Sequence, residues 1–134
     1  MASDNSVITR ARRIILCEAT SKGSAVAPVA KINRIAFGSG GTDAGGNPIP
    51  PVDTQTALKT PISGGVYPIG DAPTYPVPTT ARYVVTIPAD DLPGQIINEA
   101  GLVDENGVLC AIKTMFDKRK DGGVTFTFTF DDEF

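Results

Sequence analysis

Residues 96–115 read IINEAGLVDENGVLCAIKTM: two apolar runs, Gln95–Leu102 and Val108–Met115, joined through Asp104-Glu105-Asn106-Gly107. Asn-Gly between hydrophobic runs is a strong hairpin signal, because both residues tolerate the positive φ of a type I′ turn. Downstream, Val124–Phe130 (VTFTFTF) alternates strictly between apolar and hydroxyl side chains, the period of a half-buried strand. Phe126, Phe128 and Phe130 are therefore expected to anchor the core. The charged, glycine-ended Lys118–Gly123 (KRKDGG) reads as the tip of a second hairpin, leading into that strand. Upstream, Tyr83, Val85 and Ile87 alternate with Arg82, Val84 and Thr86, and Pro88–Pro93 interrupts.

The N-terminal end has a different period. Val7, Ile8, Ala11, Ile14, Ile15 and Ala19 fall near a 3.6-residue stripe, with Arg10, Arg12 and Arg13 on the polar side. A helix over about 7–19 follows, with Asn5, Ser6 and Thr9 as candidate N-caps and Ser21-Lys22-Gly23 as its stop. Lys31–Phe37 (KINRIAF) is a short strand candidate. All eleven prolines lie between Pro28 and Pro93, and nine of the fourteen glycines between Gly38 and Gly94. Proline lacks an amide donor and glycine costs backbone entropy, so residues 38–80 are expected to form a long irregular region. Within it, Asp53–Lys59 (DTQTALK) could form a single helical turn. The expected fold is α+β and β-dominant: an N-terminal helix on an antiparallel sheet of four or five strands, one domain over 1–134, with a β-rich 81–134.

A chain of 134 residues can bury a modest core. No apolar run reaches membrane-spanning length, and the opening residues MASDNSVITRARRII lack signal-peptide architecture. The net charge of −3 is uneven: residues 1–34 carry six basic and two acidic groups, the remainder six and thirteen. That asymmetry suits a docking partner, or simply a solvated helix face, and the acidic balance argues against nucleic acid. Cys17 and Cys110 are expected to be free core thiols, a single bridge between them being the alternative.

Catalytic signals are sparse. The absence of histidine removes the commonest general base and metal ligand. The run GSGGTDAGG lacks the Lys-[Ser/Thr] of a phosphate loop. Asp90-Asp91 and Asp131-Asp132-Glu133 are adjacent carboxylates, and adjacency alone does not set two of them across a cleft. Asp104-x-Asn106-Gly107 is only a fragment of a calcium loop. No catalytic, cofactor or metal site is expected, and no enzyme activity.

The EAGL-hydrophobic-D-x-x-G-x-L-x-A pattern from Glu99 onward resembles the N-terminal domain of bacteriophage tail fibre (tail-collar) proteins. Three further pieces match in order. Ile8-Thr9 before Ala11–Leu16 is similar to that family's opening helix. Ile32–Gly41 (INRIAFGSGG) is similar to its strand ending in a G-x-G-G loop, and Pro51–Leu58 (PVDTQTAL), followed by Pro61-Ile62, to its P-x-x-x-Q-T-A-L turn. A proline- and glycine-rich insertion around Gly64–Pro78 departs from the pattern. Family members commonly continue into a receptor-binding shaft, whereas this sequence stops at Phe134.

The resemblance implies a structural virion protein of the tail or baseplate, assembled in the host cytoplasm, joining tail fibres to the baseplate and trimeric by analogy. Its implied partners are baseplate and fibre proteins, with no membrane and no nucleic acid. The expected interface comprises Arg10, Arg12 and Arg13 with the loop residues Gly38, Gly40, Gly41, Asp53, Gln55, Thr56 and Leu58. Such a loop is expected to order on assembly. The alternative is a small glycan-binding module at the tail tip, used in host adsorption, that binds sugar through Tyr67, Tyr75 and Tyr83 or with calcium.

Overall fold

The computed structural model describes residues 5–134; the first four residues of the polar N-terminus lie outside it. The fold is β-dominant α+β, with 48% strand, 10% helix, one N-terminal helix and two antiparallel sheets. In chain order the elements are β1 (Ser6–Ile8), α1 (Arg10–Lys22), β2 (Ile32–Gly38), β3 (Pro61–Pro68), β4 (Thr74–Val77), β5 (Thr80–Ile87), β6 (Gln95–Asp104), β7 (Leu109–Lys120) and β8 (Phe126–Glu133). One sheet runs β1-β7-β6-β2-β3 and the other β4-β5-β8.

The central hairpin forms between β6 and β7, but its turn differs from expectation. Gly107 has φ 84°, while Leu92 is the only non-glycine residue at positive φ among the described residues. Asn106 therefore stays right-handed, which a type I′ turn forbids. The cause is Asp104, whose Oδ1 accepts the amides of Asn106 (2.8 Å) and Val108 (3.0 Å). This side-chain cap favours a type I turn with glycine at the left-handed position, and the ladder shifts register between Leu102 and Val103 to absorb it.

The expected second hairpin does not form. β8 leaves β7 and pairs along its full length with β5, from Ile87↔Phe126 to Thr80↔Glu133. The single expected sheet therefore becomes a sandwich. Its core takes Ile35 and Phe37 from β2, Ala100 and Leu102 from β6, Val85 and Ile87 from β5, and Phe128 and Phe130 from β8. Phe37 meets Phe128 edge-on, ring centroids 5.2 Å apart, a favoured aromatic geometry. Phe126 packs against the same core from its partly buried rim. Of the two thiols, Cys110 is buried and Cys17 is exposed, and both are free. Cys17 is no core residue, because α1 turns only Arg12 fully inward.

Residues 38–80 are less irregular than expected. They hold β3 and β4, which prolines did not prevent: Pro61 and Pro68 are the ends of β3, and β3 and β4 are both edge strands. At those places a missing amide costs little. Asp53–Lys59 forms no helical turn. Gln55 folds back instead, its Oε1 accepting the Val52 amide at 2.9 Å.

The helix begins three residues later than expected, because Ser6–Ile8 pairs with β7 as a short strand. Thr9 is the N-cap. Its Oγ1 accepts the Arg12 amide at 3.2 Å and donates to the Leu109 carbonyl at 2.6 Å. One buried hydroxyl thus satisfies the helix start and ties it to β7. Thr9→Ala is expected to lower the unfolding free energy by about 1–2 kcal/mol, read from urea denaturation. Thr9→Ser should restore most of it.

Candidate functional site: a loop pinned by Glu99 beside the helix start

Side chains alternate along β6, so Ala100 and Leu102 enter the sandwich core while Glu99, Gly101 and Val103 face the other side of the sheet. The loop of residues 39–60 crosses that side. Leu58 drops onto Leu109 and Ile112 there, with Val7, Ala36 and Val103 around them. Glu99 is 1% exposed. Its Oε1 accepts the Thr60 amide at 2.8 Å and its Oε2 the Lys59 amide at 3.2 Å. Next to it, Asn98 Oδ1 accepts the Gly41 amide at 2.7 Å, and Asn98 Nδ2 donates to Thr42 Oγ1 and to Asp117 Oδ1 at 3.0 Å each.

These contacts account for the glycines. A Cβ on Gly41 would strike the Asn98 carbonyl oxygen, and one on Gly38 would strike the Glu99 carboxylate. Backbone approach this close excludes any side chain. The EAGL strand and the G-x-G-G loop meet at Asn98 and Glu99, while Lys59 and Thr60, just past the P-x-x-x-Q-T-A-L turn, bond the Glu99 carboxylate and Leu58 of that turn packs beside Gly101. Gly38, Gly41 and Leu58 are buried and Gly40 is half-buried against Lys59 and Thr60. They hold the loop, and only Gly40 keeps part of its surface open to solvent. Assembly is not needed to hydrogen-bond this segment, since Ser39, Gly41, Asp43, Ile49, Lys59 and Thr60 all donate their amides within the chain.

The basic face of the helix is also divided. Arg10 and Arg13 are exposed, whereas Arg12 is buried. Its Nη1 donates to the Ala30 carbonyl at 3.0 Å and lies 3.8 Å from Asp104 Oδ2. The guanidinium is drawn inward because α1 docks only through its first turn. Arg13 Nη1 reaches Asp53 Oδ2 at 3.4 Å, and the Asp53 carbonyl accepts the Arg10 amide at 2.8 Å. The helix start and the 52–56 bend are thereby one surface, carrying Arg10, Arg13, Asp53, the half-buried Gln55 and the exposed Thr56. Two exposed apolar side chains belong to the same region: Ile14, 46% exposed and one turn after Arg10, and Val52, 52% exposed beside Asp53.

The adjacent carboxylates do not form a catalytic pair. Asp131 bonds Arg82 through two contacts, 2.8 and 3.0 Å, which hold its carboxyl below the ordinary range. Asp132 points to the opposite face and is 4% exposed; burial pushes it up to about 6. Its burial was legible in principle, because it continues the register of Phe126, Phe128 and Phe130. Asp91 accepts the Tyr67 hydroxyl at 3.0 Å. Of the other tyrosines, Tyr83 is half-buried and Tyr75 is exposed on β4. Burial beside Asp132 pushes Tyr83 up to about 12, and burial near Asp104 and Asp132 raises Cys110 to about 11, so that thiol is not an activated nucleophile. No protein-family model and no curated protein matches this sequence.

Proposed function

We infer that the chain is a structural component of a phage tail or baseplate that attaches tail fibres to the tail. The observation that supports this reading is that the sequence pieces resembling the tail-fibre domain lie against one another around Asn98–Gly101 of β6. Here the glycine loop is held by Asn98, the chain just past the Gln-Thr-Ala-Leu turn is held by Glu99, and Leu58 of the turn packs beside Gly101 of the EAGL strand. Partner contact then falls to what this unit presents: Arg10, Arg13, Ile14, Val52 and Thr56, a small mixed apolar and basic patch held by a rigid base. Exposed apolar groups rimmed by charge are a common signature of interaction surfaces.

The test is electron microscopy of particles carrying a labelled chain, combined with an Ile14→Asp variant. Label at the fibre-bearing end of the tail is expected. The variant should keep the fold with a stability loss of about 1 kcal/mol or less, because Ile14 is about half exposed, and should lose roughly tenfold or more in particle incorporation. Particles complete without the chain, or label elsewhere, would sink the assignment.

A further inference from the structure

An asparagine followed by glycine is chemically labile. The amide nitrogen of the next residue attacks the asparagine side-chain carbonyl carbon, and glycine puts no side chain in the path of that attack. Asn106-Gly107 is the one such pair in the sequence. Asn47 precedes Pro48, which has no N–H, while Asn5 and Asn33 precede the bulkier Ser6 and Arg34. Asn98 is buried, with both ends of its side chain bonded.

Asn106 and Gly107 are both exposed at the tip of the β6–β7 hairpin, open to water and hydroxide. Their peptide unit is nevertheless held on every side. The Gly107 amide, which would be the nucleophile, donates to the Asp104 carbonyl at 3.0 Å. Arg34 Nη2 donates to the same carbonyl at 3.1 Å and fixes it. The Asn106 and Val108 amides, on either side of Gly107, both donate to Asp104 Oδ1. Asp104 itself is 1% exposed, and its amide donates to the Val108 carbonyl at 3.1 Å. Ring closure needs the Gly107 nitrogen to lose its proton and swing onto Asn106 Cγ. It therefore has to break the Gly107–Asp104 bond and turn the peptide away from both anchored neighbours.

We propose that Asn106 is a site of spontaneous deamidation whose rate is set by Asp104: the closed turn holds it unreactive, and opening of the hairpin tip releases it. In the open turn the Gly107 nitrogen bonds to Asn106 Cγ as its proton passes to water or hydroxide. The Cγ–Nδ2 bond breaks and ammonia leaves. Water then opens the succinimide at either carbonyl to give aspartate or isoaspartate. Isoaspartate carries an extra methylene in the main chain between residues 106 and 107. Asp104 Oδ1 then no longer spans the amides of residues 106 and 108, so modification and opening reinforce each other. The inference rests on the turn alone and stands independently of the tail assignment, whose patch lies at the helix start.

Peptide mapping by mass spectrometry tests it, on the full chain aged in mildly alkaline buffer at physiological temperature. Folded wild type is expected to deamidate at Asn106 roughly tenfold or more slowly than the same chain unfolded in guanidinium chloride, where the turn is open. Asp104→Ala, shown to be folded by circular dichroism, should close most of that gap. Asp104→Asn keeps the Oδ1 acceptor and should stay near wild type. Ile87→Val, which weakens the β5 core far from the turn, should also leave the rate unchanged. Where Asp104→Ala does not fold, wild type in sub-denaturing guanidinium gives the same comparison: deamidation should rise in proportion to hydrogen exchange at Gly107 and Val108. Folded wild type reacting as fast as the unfolded chain would overturn the proposal. So would a rate indifferent both to Asp104→Ala and to turn opening, or earlier deamidation at another asparagine.

Discussion

Glu99→Ala is expected to lower the unfolding free energy by about 3–5 kcal/mol and to free the 39–60 loop. The carboxylate is buried and accepts the Lys59 and Thr60 amides. Removing it orphans two backbone donors, each costing about 1–3 kcal/mol, and leaves a void beside Gly38. Hydrogen exchange gives the specific readout. The Lys59 and Thr60 amides should lose protection most, and the Gly41 amide, held by neighbouring Asn98, should follow. Core amides of β5 and β8 should change only through the global loss. Glu99→Gln should fall between wild type and alanine, since its amide retains one acceptor and turns a donor toward the second N–H. If Glu99→Ala left loop exchange unchanged, the carboxylate would not be the pin.

The second large effect is a pH dependence centred on Asp132. Its folded value of about 6 lies above the ordinary 3.8, and the cause is burial, opposed by nearby Arg12. Between these two values the native state binds the proton that the unfolded chain releases, so stability falls as pH rises through that window. About two units of separation correspond to roughly 3 kcal/mol lost by pH 7. Asp132→Asn mimics the neutral acid. It should match wild type near pH 4 and exceed it by about 2–3 kcal/mol at pH 7, measured by urea denaturation at several pH values. Asp131 acts in the opposite sense: its lowered value contributes stability that is lost as pH falls below the ordinary 3.8, outside this window. Cys110 and Tyr83, both raised, add falling stability only above about pH 9. A variant no more stable than wild type at pH 7 would refute the assignment.

The two predictions separate what each kind of reading can find. The buried position of Asp132 was implicit in the period of β8, since residues 126, 128, 130 and 132 share a face. The role of Glu99 was not. EAGL was recognisable as a pattern, yet nothing local shows that its carboxylate would serve amides 39 and 40 positions earlier in the chain. Arg12 shows the same limit: helical periodicity put it with Arg10 and Arg13 on the polar side, and only docking of the first turn against Ala30 and Asp104 turned it inward. β3 and β4 were hidden because proline marks a strand as unfit for a sheet centre, and sequence does not say which strands will be edges.

By itself, the sequence determined the strands with clear period-two alternation, the hairpin around Gly107, the helix and the phenylalanine core. These follow from side-chain period and from local turn chemistry, which act over a few residues. The tertiary structure decided that β8 joins β5 rather than β7, that two sheets form instead of one, and that the glycine loop is pinned rather than free. Alternation specifies which face of a strand is buried, but not which neighbour will satisfy its backbone hydrogen bonds. That choice is settled only when the whole chain competes for the same donors and acceptors.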